Sequence, residues 1–493
     1  MVASQGVADF TDQARHKVHM EALPIAIFWA LAVWGGCGKP QVLLYLFFGS
    51  MSFGAFAVIP PELTGGLTLT PTPMIALLII LRSLLERGGP HFFVSQALNP
   101  RGLLLLFLFW LVATITTVLM PRVFAGEVMV IPVRLTAFTI GEPLWPSTQN
   151  FSQFCYLTIS VATVFAFAWQ LRSEGMRQHA LRAVFFGGAI VIATGFLDWL
   201  SLYLPMDVLL EPFRTATYAL LTEVEMFGGK RVVGLMPEAS AFGGVSVSFL
   251  AAVYFFRPAM LPGGMQERIA PLLMAGLLLF VWLSTSSAAY VSLAVFFALA
   301  ALQWGIRQFR APTTRASKAG FWLVWGGLVA ACLVLLFVPR LLDPLLDQFD
   351  TMVLQKKNTD SYEERSMWTE VSWQALWDSY GMGVGLGSTR ASNFLAVLFA
   401  STGMLGALLY CGFVLRSFFR RTAEGISHNR AVLLKALPLA FAPGFASALL
   451  VGSTPDFGLF NACLFALSFA VANVSGVCMQ RVSSLFVARG VPT

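Results

Sequence analysis

Long apolar stretches alternate with short polar connections along most of the chain. They lie near residues 22–37, 41–60, 72–85, 102–120, 152–171, 182–204, 238–256, 270–284, 286–305, 320–338, 392–415, 434–452 and 457–478. Apolar residues run continuously within them instead of occupying every second position, so helices are favoured over a barrel. Most have roughly the 20 residues that a helix needs to cross a bilayer. The pattern predicts an all-α polytopic membrane protein with about 12–14 transmembrane helices.

Two long polar connections divide the chain into five predicted parts. These are an N-terminal transmembrane bundle (1–204), a first loop (205–237), central transmembrane helices (238–338), a large loop (339–391), and C-terminal transmembrane helices with a tail (392–493). In the large loop, apolar residues at helical spacing predict an amphipathic helix over 341–352. A second helix is expected over 362–378, because Ser361 and Glu364 have capping-box spacing. In the first loop, 206–226 is predicted to form a short amphipathic helix.

Composition and charge agree with a membrane protein and argue against a nucleic-acid partner. Of the 493 residues, 57% are hydrophobic and 12% are charged. The net charge is +7, but Lys and Arg concentrate in short connections between apolar stretches, which is typical of cytoplasmic loops. This distribution predicts a cytoplasmic C-terminus, with three larger connections, 121–151, 205–237 and 339–391, on the outside. The side of the N-terminus stays open, because Arg15 and Lys17 favour the inside whereas thirteen spans would place it outside.

Cysteine and histidine usage favours neither disulfides nor a metal centre. The six cysteines lie in or beside apolar stretches, and the five histidines lie near the N-terminus or in predicted cytoplasmic connections. We therefore expect no metal and no cofactor.

The stretch KRVVGLMPEASAFGG at 230–244 carries the strongest candidates for chemistry. Lys230 and Arg231 stand at its outer end, and Glu238 begins the next apolar run. A carboxylate at the entrance to a membrane is costly unless it is paired or functional. Glu238 is therefore a candidate general base. The alternative is an ion pair with Arg231 that only holds the loop in place.

Several further basic and polar residues of the loops are candidates for holding a phosphate. Arginine binds phosphate through a planar fork of two donors. Arg365 is favoured because it lies inside an aromatic-rich helix, whereas Arg390 could equally extend towards lipid headgroups. The predicted substrate-binding residues are Arg214, Lys230, Arg340, Arg390, Asn393 and Tyr362.

The glycine run 381–387 and Asp198 are interpreted as mainly structural. GMGVGLGS follows no strand and precedes a membrane helix, so a nucleotide loop is not favoured. Close backbone approach to a helix or a substrate is expected instead. The helix that starts after Ser388–Asn393 would add attraction for an anion. Asp198, an acid within an apolar stretch, is predicted to pair with an arginine rather than to relay protons.

Three parts of the chain, in their order, resemble the O-antigen ligase/polymerase superfamily. They are LSTSSAAYVSLAVFFALAAL, the loop YEERSMWTEVSWQALWDSYGMGVGLGS, and SNFLAVLFASTGMLGALLY. RVVGLMPEASAFGG also resembles the Arg-x-x-Gly…Glu-Pro-Ser segment of Wzy-type O-antigen and exopolysaccharide polymerases. The resemblance covers roughly 205–415. Two positions depart from the family: Ser286-Ser287-Ala288 lacks a frequent arginine, and Ser392-Asn393 stands where ligases tend to have His-Asn.

The resemblance implies a C-type, inverting, metal-independent glycosyltransferase of the bacterial inner membrane, with its site on the periplasmic side. Its substrates would be undecaprenyl-pyrophosphate-linked oligosaccharide repeat units, joined into surface polysaccharide. Arg231 and Arg365 would hold the pyrophosphate, with help from Arg214 and Arg390, and Glu238 would take the proton from the acceptor sugar. Membrane lipid, a chain-length regulator and a flippase are the implied partners.

Three alternatives to a polymerase stay open at this stage. The first is a ligase-like transferase that moves glycan onto a lipid or protein acceptor. The second is a transporter or flippase for lipid-linked glycans, which would favour charges near the midplane of the membrane. The third is a non-enzymatic assembly factor.

Overall fold

Helices dominate the structure, a computed structural model that describes residues 22–64, 68–133, 141–218, 220–222, 225–226, 229–310, 360–419 and 427–472. The helices are α1 Ala22–Cys37, α2 Pro40–Ser50, α3 Pro71–Leu85, α4 Gly89–Leu98, α5 Leu104–Val123, α6 Thr148–Gln170, α7 Glu174–Leu200, α8 Asp207–Leu210, α9 Ala239–Phe256, α10 Ala270–Leu283, α11 Ser287–Arg310, α12 Asp360–Asp378, α13 Phe394–Phe418, α14 His428–Val451 and α15 Leu459–Ala472. Two short antiparallel pairs join β1 Met129–Val130 to β2 Glu142–Pro143, and β3 Glu225–Met226 to β4 Gly229–Lys230.

Eight of the described helices are long and apolar enough to cross a membrane: α5, α6, α7, α9, α10 with the π-helical turn before it, α11, α13 and α14. Helices α1, α2, α3 and α15 are apolar but shorter. The chain is therefore an all-α, multi-pass membrane protein, as predicted. The predicted span 320–338, the predicted amphipathic helix 341–352 and the last 21 residues, 473–493, lie outside the described residues.

Two predicted helices are wrong in extent. The stretch 41–60 was expected to be one span, but α2 ends at Ser50 and the chain continues in turns. The stretch 206–226 is not a continuous amphipathic helix. Among its described residues the helical elements are α8 and one 3₁₀ turn, Glu211–Phe213, and residues 214–218 form neither helix nor strand. Pro212 removes a backbone donor in that turn. Beyond it, the amides of Thr215 and Ala216 both donate to the Ala55 carbonyl at 3.0 Å, so tertiary bonds replace helical ones.

Small residues let the central helices pack closely. Helix α7 packs against α2, α9 and α10. A Cβ added at Gly195 of α7 would lie 2.6 Å from the ring of Phe242 in α9. The core around this contact consists mainly of phenylalanine, leucine, alanine and valine side chains. Such contacts fix the ends of the helices, and those ends carry the polar groups described next.

The two ends of the bundle can be told apart by their polar contacts. At one end, the buried Arg177 pairs with Glu174, and Arg430 of α14 lies 3.6 Å from the same carboxylate. The opposite end holds the last residues of α7, α10 and α14 and the first residues of α9, α11 and α13. We call it the pocket face.

Candidate functional site

A buried acid holds the first polar segment, residues 211–238, against the bundle. The Asp198 side chain near the end of α7 is fully buried. Its Oδ1 lies 2.8 Å from Arg214 Nη2 and 3.9 Å from Lys230 Nζ. Its Oδ2 accepts hydrogen bonds from the amides of Val233 at 2.7 Å and Gly234 at 2.9 Å. We call these five residues the Asp198 cluster. The structure contains the predicted pair between Asp198 and an arginine, which is Arg214.

Next to this cluster, Arg231 holds the turn between α10 and α11. Its Nε donates to Thr285 Oγ1 at 3.0 Å and to the Ser284 carbonyl at 3.3 Å, and its Nη2 donates to the Thr285 carbonyl at 3.0 Å. Thr285 has φ +45°, a conformation that is strained for a β-branched residue. The Arg231 guanidinium therefore bonds to both the side chain and the backbone of this strained turn.

Glu238 lies at the N-cap position of α9, where Pro237 delivers the chain to the helix. Its Oε1 accepts a hydrogen bond from Ser240 Oγ. Within the described residues no ion pair joins Glu238 to Arg231, although the two groups are close enough to influence each other. The alternative of a simple Arg231–Glu238 ion pair is therefore not what this structure contains.

Helix α12 presents Arg365 to the same region. The prediction of a helix over 362–378 is confirmed, with the bounds Asp360–Asp378. Within the described part of the chain, the Arg365 guanidinium has no ion pair and no hydrogen bond. Arg365 nevertheless lies within electrostatic range of Arg231 and Arg390. Burial is the main cause that lowers the pKa of each, and the Arg365 charge lowers both further. Three cations thus converge on one region.

Arg390 stands where the glycine segment, residues 379–393, approaches α13. Its guanidinium lies 3.7 Å from the centre of the Trp368 ring of α12, a cation–π contact. Its Nε is buried without a hydrogen-bond partner. Burial lowers the pKa of Arg390, the Glu364 carboxylate opposes this, and the Arg365 charge lowers it further. An unsatisfied buried donor on a cation is costly and would be relieved by an anionic ligand.

Burial and like charge act on Arg231 in the same way. Burial is the main cause that lowers the pKa of Arg231; the Glu238 carboxylate opposes the shift, and Arg365 adds to it. Arginine still stays protonated at neutral pH. The region therefore combines three arginines with the carboxylates of Glu238, Glu364 and Glu370, and no ion pair between the two sets is described.

A pocket of about 610 Å³ opens at this place. The start of α11, one side of α12, the residues before α13 and the end of α14 enclose it. Its polar lining is Ser287, Arg365, Ser366, Thr369, Glu370, Ser392 and Asn393. Its apolar lining is Ala288, Val291, Trp373, Leu449, Leu450 and Val451. Val291 and Leu450 are 38% and 43% exposed, so the apolar side opens between α11 and α14.

Glu238 lies beside this pocket, although it does not line it. Helices α9 and α14 run antiparallel in contact, with Gly244 beside Ser447 and Ser248 beside Gly444. Continuing this register outward by about two turns brings the start of α9 opposite the end of α14. The carboxylate thus stands near the wall formed by Leu449–Val451.

The glycine segment is held by backbone packing against three helices. Gly381, Gly383, Gly385 and Gly387 all have positive φ, between 75° and 88°. The amides of Val384 and Gly385 donate to carbonyls of α13, which Gly403 interrupts with φ +70°. A Cβ at Gly387 would lie 2.4 Å from the Gln149 carbonyl of α6. The close approach predicted for the glycine run is therefore an approach to helices.

The structure places the other predicted residues in different surroundings. Arg214 and Lys230 lie on Asp198 and not among the pocket lining, so their part in substrate binding stays a prediction. Asn393 lines the pocket and caps α13, because its Oδ1 accepts from the amides of Leu395 and Ala396. Arg340 and the Tyr362 side chain lie outside the described residues.

Sequence reasoning missed the walls supplied by α11 and α14. Thr285 and Ser287 belong to a serine-rich turn whose sequence signals a connection but not its strain or its contact with Arg231. Leu449–Val451 look like any other end of a membrane helix. Nothing in those three residues signals a pocket.

In the part of the chain that the structure describes, no three His, Cys, Asp or Glu side chains are grouped closely enough to hold a metal ion. The functional groups that line the pocket are one cation, one carboxylate, one amide and four hydroxyls. Such a set can bind an anion and exchange a proton.

The fold and the site define a class: a helical, multi-pass membrane protein with an amphipathic pocket at one end of its bundle, lined by Arg365 and Glu370 and with Arg231 and Arg390 near Arg365. No family model matches the chain, and no curated protein matches it.

Proposed function

We propose that the protein is a glycosyltransferase that joins lipid-pyrophosphate-linked oligosaccharide repeat units at the outer face of a bacterial inner membrane. The reaction would elongate a surface polysaccharide. The pocket face would then be periplasmic. The sequence resemblance to Wzy-type polymerases suggests this reaction, and the chemistry of the pocket supports it.

The observation that carries the proposal is the Arg365 guanidinium on the pocket wall, which has no ion pair among the residues that the structure describes. Arg231 and Arg390 stand within electrostatic range of it. Gathering three cations without matching ion pairs is costly, and the cost falls when a multiply charged anion binds. A pyrophosphate offers several acceptors for the guanidinium fork.

The lining supports a ligand that is polar at one end and apolar at the other. Arg365, Asn393 and Ser392 face a phosphate or sugar, whereas Val291 and Leu450 face a lipid chain. The partial exposure of Val291 and Leu450 gives a lipid a sideways entrance from the bilayer. A soluble phosphate ester would have no use for that apolar wall.

In the proposed reaction the arginines stabilise charge on the leaving pyrophosphate. Glu238 accepts the proton from the acceptor hydroxyl as the new glycosidic bond forms. The bond between the anomeric carbon of the donor glycan and the pyrophosphate oxygen breaks, and the lipid pyrophosphate leaves with the electron pair. No redox partner is needed.

Purified protein in lipid nanodiscs, given lipid-pyrophosphate-linked repeat units, tests this proposal. We expect a ladder of longer glycans and release of lipid pyrophosphate. Glu238→Gln should slow elongation by about 10²–10⁴-fold, the range for loss of a general base. Arg122→Ala, an exposed arginine at the end of α5, is the matched control and should keep full activity.

A different product would point to one of the alternatives. Transfer of a single glycan to an added lipid or protein acceptor, without a ladder, would indicate a ligase. Movement of intact lipid-linked glycan between leaflets, with no new bond, would indicate a transporter. If folded wild-type protein does neither and makes no ladder, the proposed chemistry is wrong.

A further inference from the structure

Asp198 is the most completely bonded polar side chain near the site, yet it does not line the pocket. Its two oxygens take two backbone amides and two cations, all from the segment 211–238. Arg214 also donates to the Gly234 carbonyl at 3.3 Å, so it ties the carboxylate to the same stretch of backbone. One carboxylate in a rigid helix thus fixes residues 230–234.

This fixed stretch contains Arg231 and leads to Glu238. Arg231 lies between Lys230 and Val232, with both Lys230 and Val233 tied to Asp198. The Val232 amide donates to the Leu283 carbonyl at the end of α10, at 3.3 Å. The Arg231 side chain therefore extends from the cluster towards the turn at Thr285.

The conformation of Gly234 strengthens this arrangement. Its φ is +57°, and an added Cβ would lie 3.0 Å from the Phe242 ring. The backbone turns sharply there, which aims the Val233 and Gly234 amides at a single oxygen of Asp198. Two adjacent amides on one carboxylate oxygen form a strong, charge-assisted contact.

The contact chain continues from Arg231 into the pocket wall. Arg231 holds both the carbonyl and the hydroxyl of Thr285, and α11 begins two residues later at Ser287. Ser287 and Ala288 line the pocket. A residue that fixes the position of Arg231 therefore also fixes the position of this part of the pocket lining.

We propose that Asp198 is the positioning residue of the site: by clamping residues 230–234 it places Arg231, and through Arg231 it holds the strained Thr285 turn against the pocket. Asp198 touches neither the ligand nor the reacting atoms. The inference rests on the proposed function only for the identity of the bound anion, because the clamp itself is a statement about the protein.

Hydrogen exchange in nanodiscs tests the clamp without any substrate. In Asp198→Asn we expect the peptides covering 229–236 and 283–287 to exchange about tenfold faster or more, since charge-assisted bonds to two amides are lost. Peptides inside α9 should not change. If 229–236 exchanges faster but 283–287 does not, Arg231 does not transmit the effect and the proposal is overturned.

The matched control lies on the same helix. Glu174→Gln at the opposite end of α7 removes a carboxylate that also has two cationic partners, Arg177 and Arg430. It should leave exchange at 229–236 and 283–287 unchanged. Equal loosening in both variants would mean that α7 is merely destabilised, and would overturn the proposal.

Binding of inorganic pyrophosphate separates positioning from bulk stability. We expect Asp198→Asn and Arg231→Ala each to weaken binding about tenfold, and the double variant to be no weaker than Arg231→Ala alone, because Asp198 acts through Arg231. Additive losses would overturn the proposal. If the wild type binds no pyrophosphate, the proposed function loses its support while the exchange experiment still decides the clamp.

A wild-type measurement decides the proposal even if Asp198→Asn does not fold. The Val233 and Gly234 amides should exchange at least as slowly as the Val232 amide, which donates to the Leu283 carbonyl. If they exchange much faster than the Val232 amide, Asp198 does not clamp the segment.

Discussion

The two segments that border the pocket are held to the bundle in different ways. Segment 211–238 is held by charge, because Arg214 and Lys230 both lie on the buried Asp198. The glycine segment 379–393 is held by its backbone, which packs into α5, α6 and α13 and bonds to carbonyls of α13. The manner of attachment decides which cations remain available.

A segment held by charge uses its cations for attachment. A segment held by its backbone leaves its cations free for another purpose. Arg390 extends from the glycine segment with an unsatisfied Nε, and Arg365 on the neighbouring helix has no ion pair within the described residues. Arg231 is the exception on the first segment, because it bonds to neutral carbonyl and hydroxyl groups and keeps its charge. The location of an arginine outside the membrane core is thus a poor guide to its role.

Removing a charge-based attachment should have the largest effect. Arg214→Ala leaves the buried Asp198 with Lys230, at 3.9 Å, as its remaining described cation beside the two amide bonds, and we expect a loss of about 3 kcal/mol of unfolding free energy. Thermal or denaturant unfolding of the purified protein measures it. The second change Asp198→Asn, added to Arg214→Ala, should recover part of the loss, because no buried carboxylate is then left without its arginine.

Arg122→Ala, an exposed arginine at the end of α5, controls for the general effect of removing an arginine. If Arg214→Ala is no less stable than this control, the Asp198 pair does not hold the segment.

Removing a free cation should affect function and spare stability. Arg365→Ala should lower the rate of elongation by about 10²–10³-fold, the range for loss of one group that stabilises transition-state charge. Its unfolding should match the wild type within about 0.5 kcal/mol, since no ion pair is broken. A stability loss as large as that of Arg214→Ala would show that Arg365 is also used for attachment, and would break the comparison.

The backbone attachment is tested by glycine substitution. Gly387→Ala forces a Cβ within 2.4 Å of the Gln149 carbonyl at φ +76°, and we expect a loss of about 2 kcal/mol in unfolding. Gly175→Ala, in the first turn of α7 with open space around it, is the matched control and should be neutral or slightly stabilising. Equal stability of the two variants would mean that the glycine segment is not held by close approach.

Sequence reasoning reached the helices and the identity of most charged candidates because both leave local signals. Continuous apolar stretches gave bounds close to those of α5, α9 and α10. Close backbone approach at the glycine run followed from residue type. The helix predicted over 206–226 failed because its end depends on bonds to Ala55, about 160 residues away in the sequence.

What local signals could not supply was the pairing of charges. Arg214 and Arg365 look alike in the sequence, since each stands in a polar loop near aromatic residues. Their roles differ because Asp198, in the separate helix α7, pairs with Arg214 and not with Arg365. The pocket depends in the same way on α11 and α14, whose ends meet only in the folded bundle.

The half-buried carboxylate of Asp456, which has no cationic partner among the described residues, extends the comparison, and its effect should be the smallest. Asp456 lies between α14 and α15, where its Oδ1 accepts from the Gly458 amide at 3.1 Å. Burial raises the pKa of Asp456 to about 6, above the value of 3.8 expected for an exposed aspartate. The folded protein therefore keeps a proton that the unfolded chain has lost. This contribution to stability is complete below about pH 4 and disappears as the pH rises through 6.

Asp456→Asn should accordingly stabilise the protein by about 1–2 kcal/mol at pH 7.5, and hardly at all at pH 4. The asparagine still accepts the bond from Gly458, so only the charge is removed. Thermal unfolding at both pH values measures the difference, with Asp378→Asn, an exposed aspartate at the end of α12, as the control. A loss of stability at pH 7.5 would show that the charged form of Asp456 has a cationic partner. It would then belong with Asp198, among the carboxylates that attach segments to the bundle.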